Sequence, residues 1–270
     1  MTGLSEPSRC FFFELPLISS FAETQPCPLQ SNPIRYNYRM TSTTPNITVY
    51  SFRRCPFAIR VRMVLHEKGI PFHTVEESLK KFSAELLQLH PEGRVPVLVH
   101  NDVVIYESAI ITEYLDDCFP EVPLMPKSAA DKMRVREWTY WCNHIFKPEI
   151  DRFKYDAEKQ AAEENEACKN KVREHLKKLE SQLEITPWLV GNSLSLADIH
   201  VFPFYRQLVK MPSPHPEINH CSTSAWLEKI ISRPSFIKTM ANNPIQQSRV
   251  VNPNLLHDPG SCKGTNDCRK

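Results

Sequence analysis

The sequence predicts a two-part fold, a small α/β unit followed by an all-helical unit. Three observations predict it. Between Asn46 and Leu115 the apolar pattern switches repeatedly between alternation and helical spacing. The stretch Phe119 to Lys127 then places three prolines in nine residues, which reads as a linker. Beyond Lys127 every apolar stripe has helical spacing.

Taken in order, Ile47 to Phe52 is a β-branched and aromatic run that alternates faces as a strand does. From Pro56 the period becomes helical through Ala58, Val61, Val64 and Leu65, and Gly69 with Pro71 supplies the stop. Pro71 to Glu76 reads as a second strand, and Phe82 to Leu89 as a helix ending at His90-Pro91-Glu92-Gly93. Arg94 to Val99 is an apolar strand with a proline near its head, a position where a cis bond is expected before Pro96. His100-Asn101-Asp102 turns the chain into a partner strand, Val103 to Tyr106, and Glu107-Ser108 opens a helix through Leu115.

In the second unit, Met133, Trp138, Trp141 and Ile145 suggest one buried stripe, with Pro148 expected to kink or end that helix. Cys168, Val172, Leu176, Leu179 and Leu183 mark a second, on a highly charged helix. Gly191-Asn192 turns the chain. Ser195-Leu-Ala-Asp198 reads as a capping box, with Leu194 and Ile199 at the positions of a hydrophobic staple. Shorter helices are expected near Ser224–Ile231 and Ser235–Ala241. The predicted organisation is therefore 1–45 as a disordered extension, 46–118 as the α/β unit, 119–127 as linker, 128–241 as the helical unit and 242–270 as a disordered tail. The apolar patch at Cys10 to Phe21 is broken by Glu14 and Pro16, unlike the clean core of a signal peptide.

Bulk properties exclude several classes. A net charge of +2 with mixed signs gives no reason to propose nucleic acid or an anionic membrane as partner. No apolar run approaches the length of a membrane span. Nine cysteines, an odd number with no CxxC pair, argue against a disulfide framework or a zinc ribbon, so no metal is expected. The stretch His215 to Cys221 and the pair Cys262 and Cys268 lack zinc-ligand spacing and read as loop. Free thiols suit a reducing, cytoplasmic compartment.

Cys55 is the candidate nucleophile. It stands at the mouth of the helix that Pro56 opens, where unpaired N–H groups and the macrodipole favour negative charge. Arg53 and Arg54 are expected to add to that field. Such conditions lower a thiol from about 8.5 to somewhere around 3.5–7.5 and give a reactive thiolate. Simple packing of a buried cysteine is the alternative.

An α/β unit of this order, a proline linker and a helical unit with a buried capping box together resemble the cytosolic glutathione transferases over residues 46 to about 240. The resemblance implies a thioredoxin-like first domain and a helical second domain. Cys55-Pro-Phe-Ala is similar to the active-site motif of the omega, lambda and dehydroascorbate-reductase classes, and includes Phe57. Val95-Pro96 resembles the turn whose backbone pairs with the cysteinyl part of glutathione, and Glu107-Ser108 the pair that holds its γ-glutamyl end. Lys81, or failing it Lys80, is the nearest counterpart of the lysine that reaches the glycine carboxylate. By position, Trp138, Trp141, Cys142 and Tyr205 are candidates for the acceptor site, although aromatics at helical spacing also serve as plain core. The implied activity is glutathione-dependent thiol transfer or dehydroascorbate reduction, with glutathione as co-substrate and a homodimer as the family habit. Regulatory proteins of the bacterial stringent-starvation type are the rival reading, and Pro123 to Pro126 is similar to their linker; a conventional glutathione-conjugating transferase is the other alternative.

Overall fold

The computed structural model describes residues 46–78, 80–155, 162–211 and 221–241. The expected disordered ends, the pair Cys262 and Cys268, and His215 to His220 lie outside these residues.

The first unit runs β1 (Ile47–Ser51), α1 (Pro56–Glu67), β2 (His73–Glu76), α2 (Ala84–Leu89), β3 (Val97–His100), β4 (Val103–Tyr106) and α3 (Ser108–Cys118). This is the thioredoxin-like order expected. The strands form one sheet in the order β2-β1-β3-β4. β1 pairs parallel with β2, Val49 opposite Thr74, and antiparallel with β3, Val49 opposite Leu98. Strand alternation separates two cores. Ile47, Val49 and Leu98 face α1, α3 and the helical unit, whereas Tyr50, Val97 and Val99 pack under Leu86 and Leu89 of α2. Pro96 precedes β3 instead of sitting within it, because the ladder has no use for a residue without an N–H. The Val95–Pro96 bond is cis, as expected.

The second unit contains α4 (Ala129–Trp141), α5 (Lys147–Tyr155), α6 (Ala162–Ile185), α7 (Leu196–Val209), α8 (Cys221–Ile231) and α9 (Pro234–Met240). The five expected stripe residues of α6 are all buried. The stripe expected on α4 is corrected in part. Trp138 and Trp141 are buried as expected, but Met133 and Ile145 are 48% and 42% exposed, and Val135, Cys142 and Phe146 face inward in their place. A π-helical turn over Cys142–Phe146 shifts the register between α4 and α5, so a pattern extrapolated at uniform helical spacing is out of phase by Ile145. Pro148 follows that turn inside α5 and does not end the helix, since it falls at the second residue of the new segment.

Helix α1 is the shared element. Every residue from Ala58 to Leu65 is buried, because the helix packs on α3, α7 and α9 as well as the sheet. Its C-terminal end is tied twice. The Lys68 ammonium meets Asp116 at 2.7 Å and donates to the carbonyls of Phe119 and Val122 at 2.8 and 2.7 Å. Asp116 in turn accepts the backbone N–H groups of Leu124 and Met125, so the proline linker is held at both ends of its bend. Beside it, Glu67 accepts from Arg233 and from the Ser235 hydroxyl at the start of α9.

The capping box forms as expected, and it does more than cap. One Asp198 oxygen accepts Ser195 N–H and Oγ–H, and the other accepts Leu189 N–H and the Trp226 indole N–H. Asp198→Ala should therefore lose about 3 kcal/mol or more, since several buried donors are orphaned at once, beyond the loss expected of a cap alone. The melting temperature should fall while turnover per folded molecule is kept.

Burial alone would push the Glu67 carboxyl up, but the Arg233 and Ser235 hydrogen bonds outweigh it and the net pKa is lowered. A carboxyl depressed in the fold stabilises above its unfolded pKa and loses that contribution as pH falls through the folded value. Glu67→Gln should lower the melting temperature at neutral pH, and the gap to the unsubstituted protein should close in acid.

Candidate functional site

Cys55 is the N-cap residue of α1, with extended backbone angles of −67° and 121°. Its N–H donates to the Phe52 carbonyl and its carbonyl accepts from Ile59, both at 2.9 Å, so the turn from β1 is closed on itself. The thiol is half-buried. Its Sγ lies 3.9 Å from the Val95 carbonyl oxygen, which accepts from it. The N–H groups of Ala58 and Phe57 point at the sulfur from the open helix end.

The electrostatics depart from the sequence expectation. Burial pushes the Cys55 thiol up; the Ala58 and Phe57 N–H groups and the charges of Arg62 and Arg60 pull it down, and the net direction is up. The flanking arginines are not the source of the downward pull. Arg54 lies over the Phe52 ring at 5.7 Å, and the Arg53 backbone is bound to Glu76 and Arg62. The charges that act on the thiol are instead those of Arg60 and Arg62, one and two turns into α1.

Arg60 also links the thiol's helix to the rest of the site. Its guanidinium is fully buried. It donates to the His200 carbonyl from Nε and Nη2 at 3.0 and 2.7 Å, to Ser108 Oγ at 3.1 Å and to Asn143 Oδ1 at 2.8 Å. The rings of Phe57 and Phe204 lie 5.0 and 4.9 Å from it, and the two rings meet edge-on. Phe57 thus turns its ring toward the helical unit, and what it offers the thiol is its N–H. Ser108 opens α3 and is buried, and its oxygen accepts from Arg60, which leaves the hydroxyl hydrogen to donate elsewhere. Glu107 before it is exposed and has φ of +67°, a conformation rare outside glycine. Strain of that kind persists where surroundings enforce it, and often at binding sites. Lys81 and Lys80 are both exposed on the segment closed by the Ser78–Lys81 bridge.

The acceptor candidates fare differently. Trp138 and Trp141 are buried, edge-on to one another, with the Lys178 ammonium over both rings and Phe146 stacked on Trp141. Tyr205 is buried beside Trp226. These three are core, packed against α6 and α8, and not walls of an open cleft. Cys142 is buried behind Arg60, 3.5 Å from its Nη2, and burial pushes its thiol up to about 11. Sequence reasoning missed Arg60, Arg62, Glu76 and Asn143. The available signal was two arginines set among Ile59, Val61 and Met63 on a helix otherwise apolar, where a charge is kept only if it is bonded.

Chemically, the arrangement offers a single thiol facing backbone donors and buried cations. The position three residues on, where a dithiol centre has its second cysteine, holds buried Ala58. Among the described residues no three His, Cys, Asp or Glu side chains gather as metal ligands would.

Comparison with known proteins agrees with this architecture. Residues 54–118 match the model of the glutathione S-transferase N-terminal domain, and residues 126–234 that of the C-terminal domain. The chain is 32% identical to glutathione S-transferase U19 of Arabidopsis thaliana, over 68% of this chain and 84% of that one. It is 32% identical to glutathione S-transferase omega-1 of Sus scrofa, over 70% and 78%. It is also 26% identical to a stringent starvation protein A homolog of Haemophilus influenzae, over 72% and 90%. With both domain models matched in order, and two relatives aligned over most of their own length, the chain belongs to the glutathione S-transferase family.

Proposed function

We propose that the protein is a glutathione-dependent thiol transferase or dehydroascorbate reductase of omega-like type, with Cys55 as its sole reacting thiol. The observation that carries this reading is the monothiol: Sγ at the N-terminus of α1, beside the Val95 carbonyl, with Ala58 in the resolving position. The family supplies glutathione as the co-substrate. Its γ-glutamyl ammonium fits the exposed Glu107, and its α-carboxylate fits the Ser108 hydroxyl and the N–H groups at the start of α3. The cysteinyl backbone pairs with Val95 as an added strand does, and exposed Lys81, or Lys80 beside it, is the nearest lysine for the glycine carboxylate.

The reaction balances in two exchanges. Cys55 thiolate attacks the glutathione sulfur of a mixed disulfide, forms Cys55–S–S–glutathione and releases the other thiolate. A second glutathione thiolate attacks that bond, oxidised glutathione leaves, and Cys55 thiolate is regenerated. Dehydroascorbate in place of the mixed disulfide takes up the two electrons that two glutathione molecules lose. Burial keeps the resting thiol protonated, with its hydrogen toward Val95. A tripeptide pairing through that same carbonyl takes the acceptor away, and leaves the sulfur facing donors and cations only.

Further support concerns assembly and setting. Tyr106, Ile110, Met133 and Tyr140 are exposed apolar side chains of β4, α3 and α4, and Glu113 and Arg136 join α3 to α4 between them. We assign this face to a homodimer. Among the described residues no helix is long and apolar enough to cross a membrane, and a reducing cytoplasm suits the free thiol.

The stringent-starvation relative keeps a regulatory binding role as the rival, and the two readings separate on immobilised glutathione. The catalytic reading expects retention, with Ser108→Ala weakening it about tenfold through loss of a charge-assisted hydrogen bond. A panel of hydroxyethyl disulfide, dehydroascorbate and a chlorodinitrobenzene-type electrophile, each with glutathione, should show turnover on the first two and little on the third. Oxidised glutathione should add one glutathione by intact mass, mapped to Cys55, and Cys55→Ser should abolish thiol transfer. Substantial reductase activity in Cys55→Ser, or an adduct elsewhere, sinks the mechanism. Because burial raises the resting thiol, alkylation of Cys55 in the free protein should climb with pH past the range of an ordinary thiol, and a plateau below neutrality would contradict that environment.

A further inference from the structure

A second buried arginine of α1 grips the turn that carries the thiol. Arg62 is 4% exposed. Its Nη2 donates to the Arg53 carbonyl at 2.6 Å and its Nη1 to Ser51 Oγ at 2.5 Å, while its Nε is buried without a partner. From the other side, Glu76 of β2 accepts the Arg53 N–H at 2.6 Å. Both polar backbone groups of Arg53 are thus held by buried or half-buried side chains of opposite charge, two residues before Cys55. The guanidinium is spent on the chain around the thiol.

We propose that Arg62 is a positioning residue for the reacting thiol: by holding Ser51 and Arg53 it fixes the turn that ends at Cys55, and it buries a positive charge beside that turn. The inference rests on Cys55 being the reacting thiol, and not on which acceptor it serves. Two features favour Arg62 over Arg60 in this role. Arg60 divides its donors among His200, Ser108 and Asn143, and of the two it is Arg62 that pulls harder on the thiol. The other charges nearby are Arg53 and Arg54 on the turn, Glu76 from β2, which acts on Arg62, and Glu107 from the start of α3, which acts on Arg60. Arginine suits the position because its planar fork bonds two oxygens at fixed geometry while keeping its charge; lysine keeps only the charge.

The test uses the full chain and variants Arg62→Met and Arg62→Lys. Iodoacetamide alkylation is followed across neutral and alkaline pH without glutathione and mapped to Cys55 by peptide mass, beside melting temperature and hydroxyethyl disulfide kinetics. Arg62→Met should shift the alkylation profile up by about one pH unit, so that the rate at pH 7 falls about tenfold. Arg62→Lys should keep the profile near that of the unsubstituted protein, yet lower kcat for thiol transfer about tenfold through misplacement of the sulfur. A folded Arg62→Met with an unmoved profile overturns the charge role, and Arg62→Lys with unchanged kcat overturns the positioning role. Where Arg62→Met does not fold, Glu76→Gln decides. It keeps an acceptor for the Arg53 N–H and removes the opposing anion, so the profile should move to lower pH; a profile unmoved or raised overturns the proposal. Loss of thiol transfer in Cys55→Ser tests the underlying reading separately, because the mapped alkylation needs no turnover.

Discussion

A guanidinium buried without a carboxylate in contact is the constraint on which this molecule turns. Removing Arg60 from water costs several kcal/mol unless its donors are filled. They are filled by a carbonyl of α7, the hydroxyl that opens α3 and an amide of the π-helical turn, with the edge-on pair of Phe57 and Phe204 rings close by. Each partner belongs to a different element, so satisfying one side chain fixes four elements at once. α7 supplies its share through the His200 carbonyl, which takes Nε and Nη2 of Arg60 together. The His200 ring then lies between Thr112 of α3 and Thr139 of α4, 2.8 and 2.7 Å away, and burial and Arg60 push its pKa well down. A neutral ring with one donor and one acceptor joins the two units where a charged one would add repulsion.

Much of the fold was legible because local signals and tertiary packing agree. The alternation of β1, the proline at the head of α1, the capping box and the α6 stripe are each decided within a few residues. The misreadings share a cause too. The α4 stripe held at Trp138 and Trp141 and failed at Ile145, where a π-helical turn inserts extra backbone that no side chain announces. Trp138, Trp141 and Tyr205 were open to both readings, since an aromatic at helical spacing looks the same whether it lines a cleft or fills a core. Arg53 and Arg54 were chosen by adjacency, but a residue's neighbours in a turn diverge, and the charges that face Cys55 come from later in the helix. Cys55 was marked by the strand, the turn and the proline-started helix around it; the roles expected of Glu107 and Ser108 came from family resemblance, since spacing alone left them as a helix start.

The site balances two opposed demands. A nucleophilic sulfur needs cations and N–H donors close by, and enclosure raises the same thiol. At Cys55 burial pushes the thiol up, the Ala58 and Phe57 N–H groups and the charges of Arg62 and Arg60 pull it down, and burial prevails.

The anchors at the end of α1 bear on how the chain comes apart. Glu67 and Lys68 are neighbours in sequence, yet one is bonded to Arg233 and Ser235, more than 160 residues downstream, and the other to Asp116 and the linker. Excising the first unit at the linker would strip α1 of its packing on α7 and α9. The thioredoxin-like unit is therefore not an autonomous folding module in this chain. Helix α1, tied to both units, couples their unfolding.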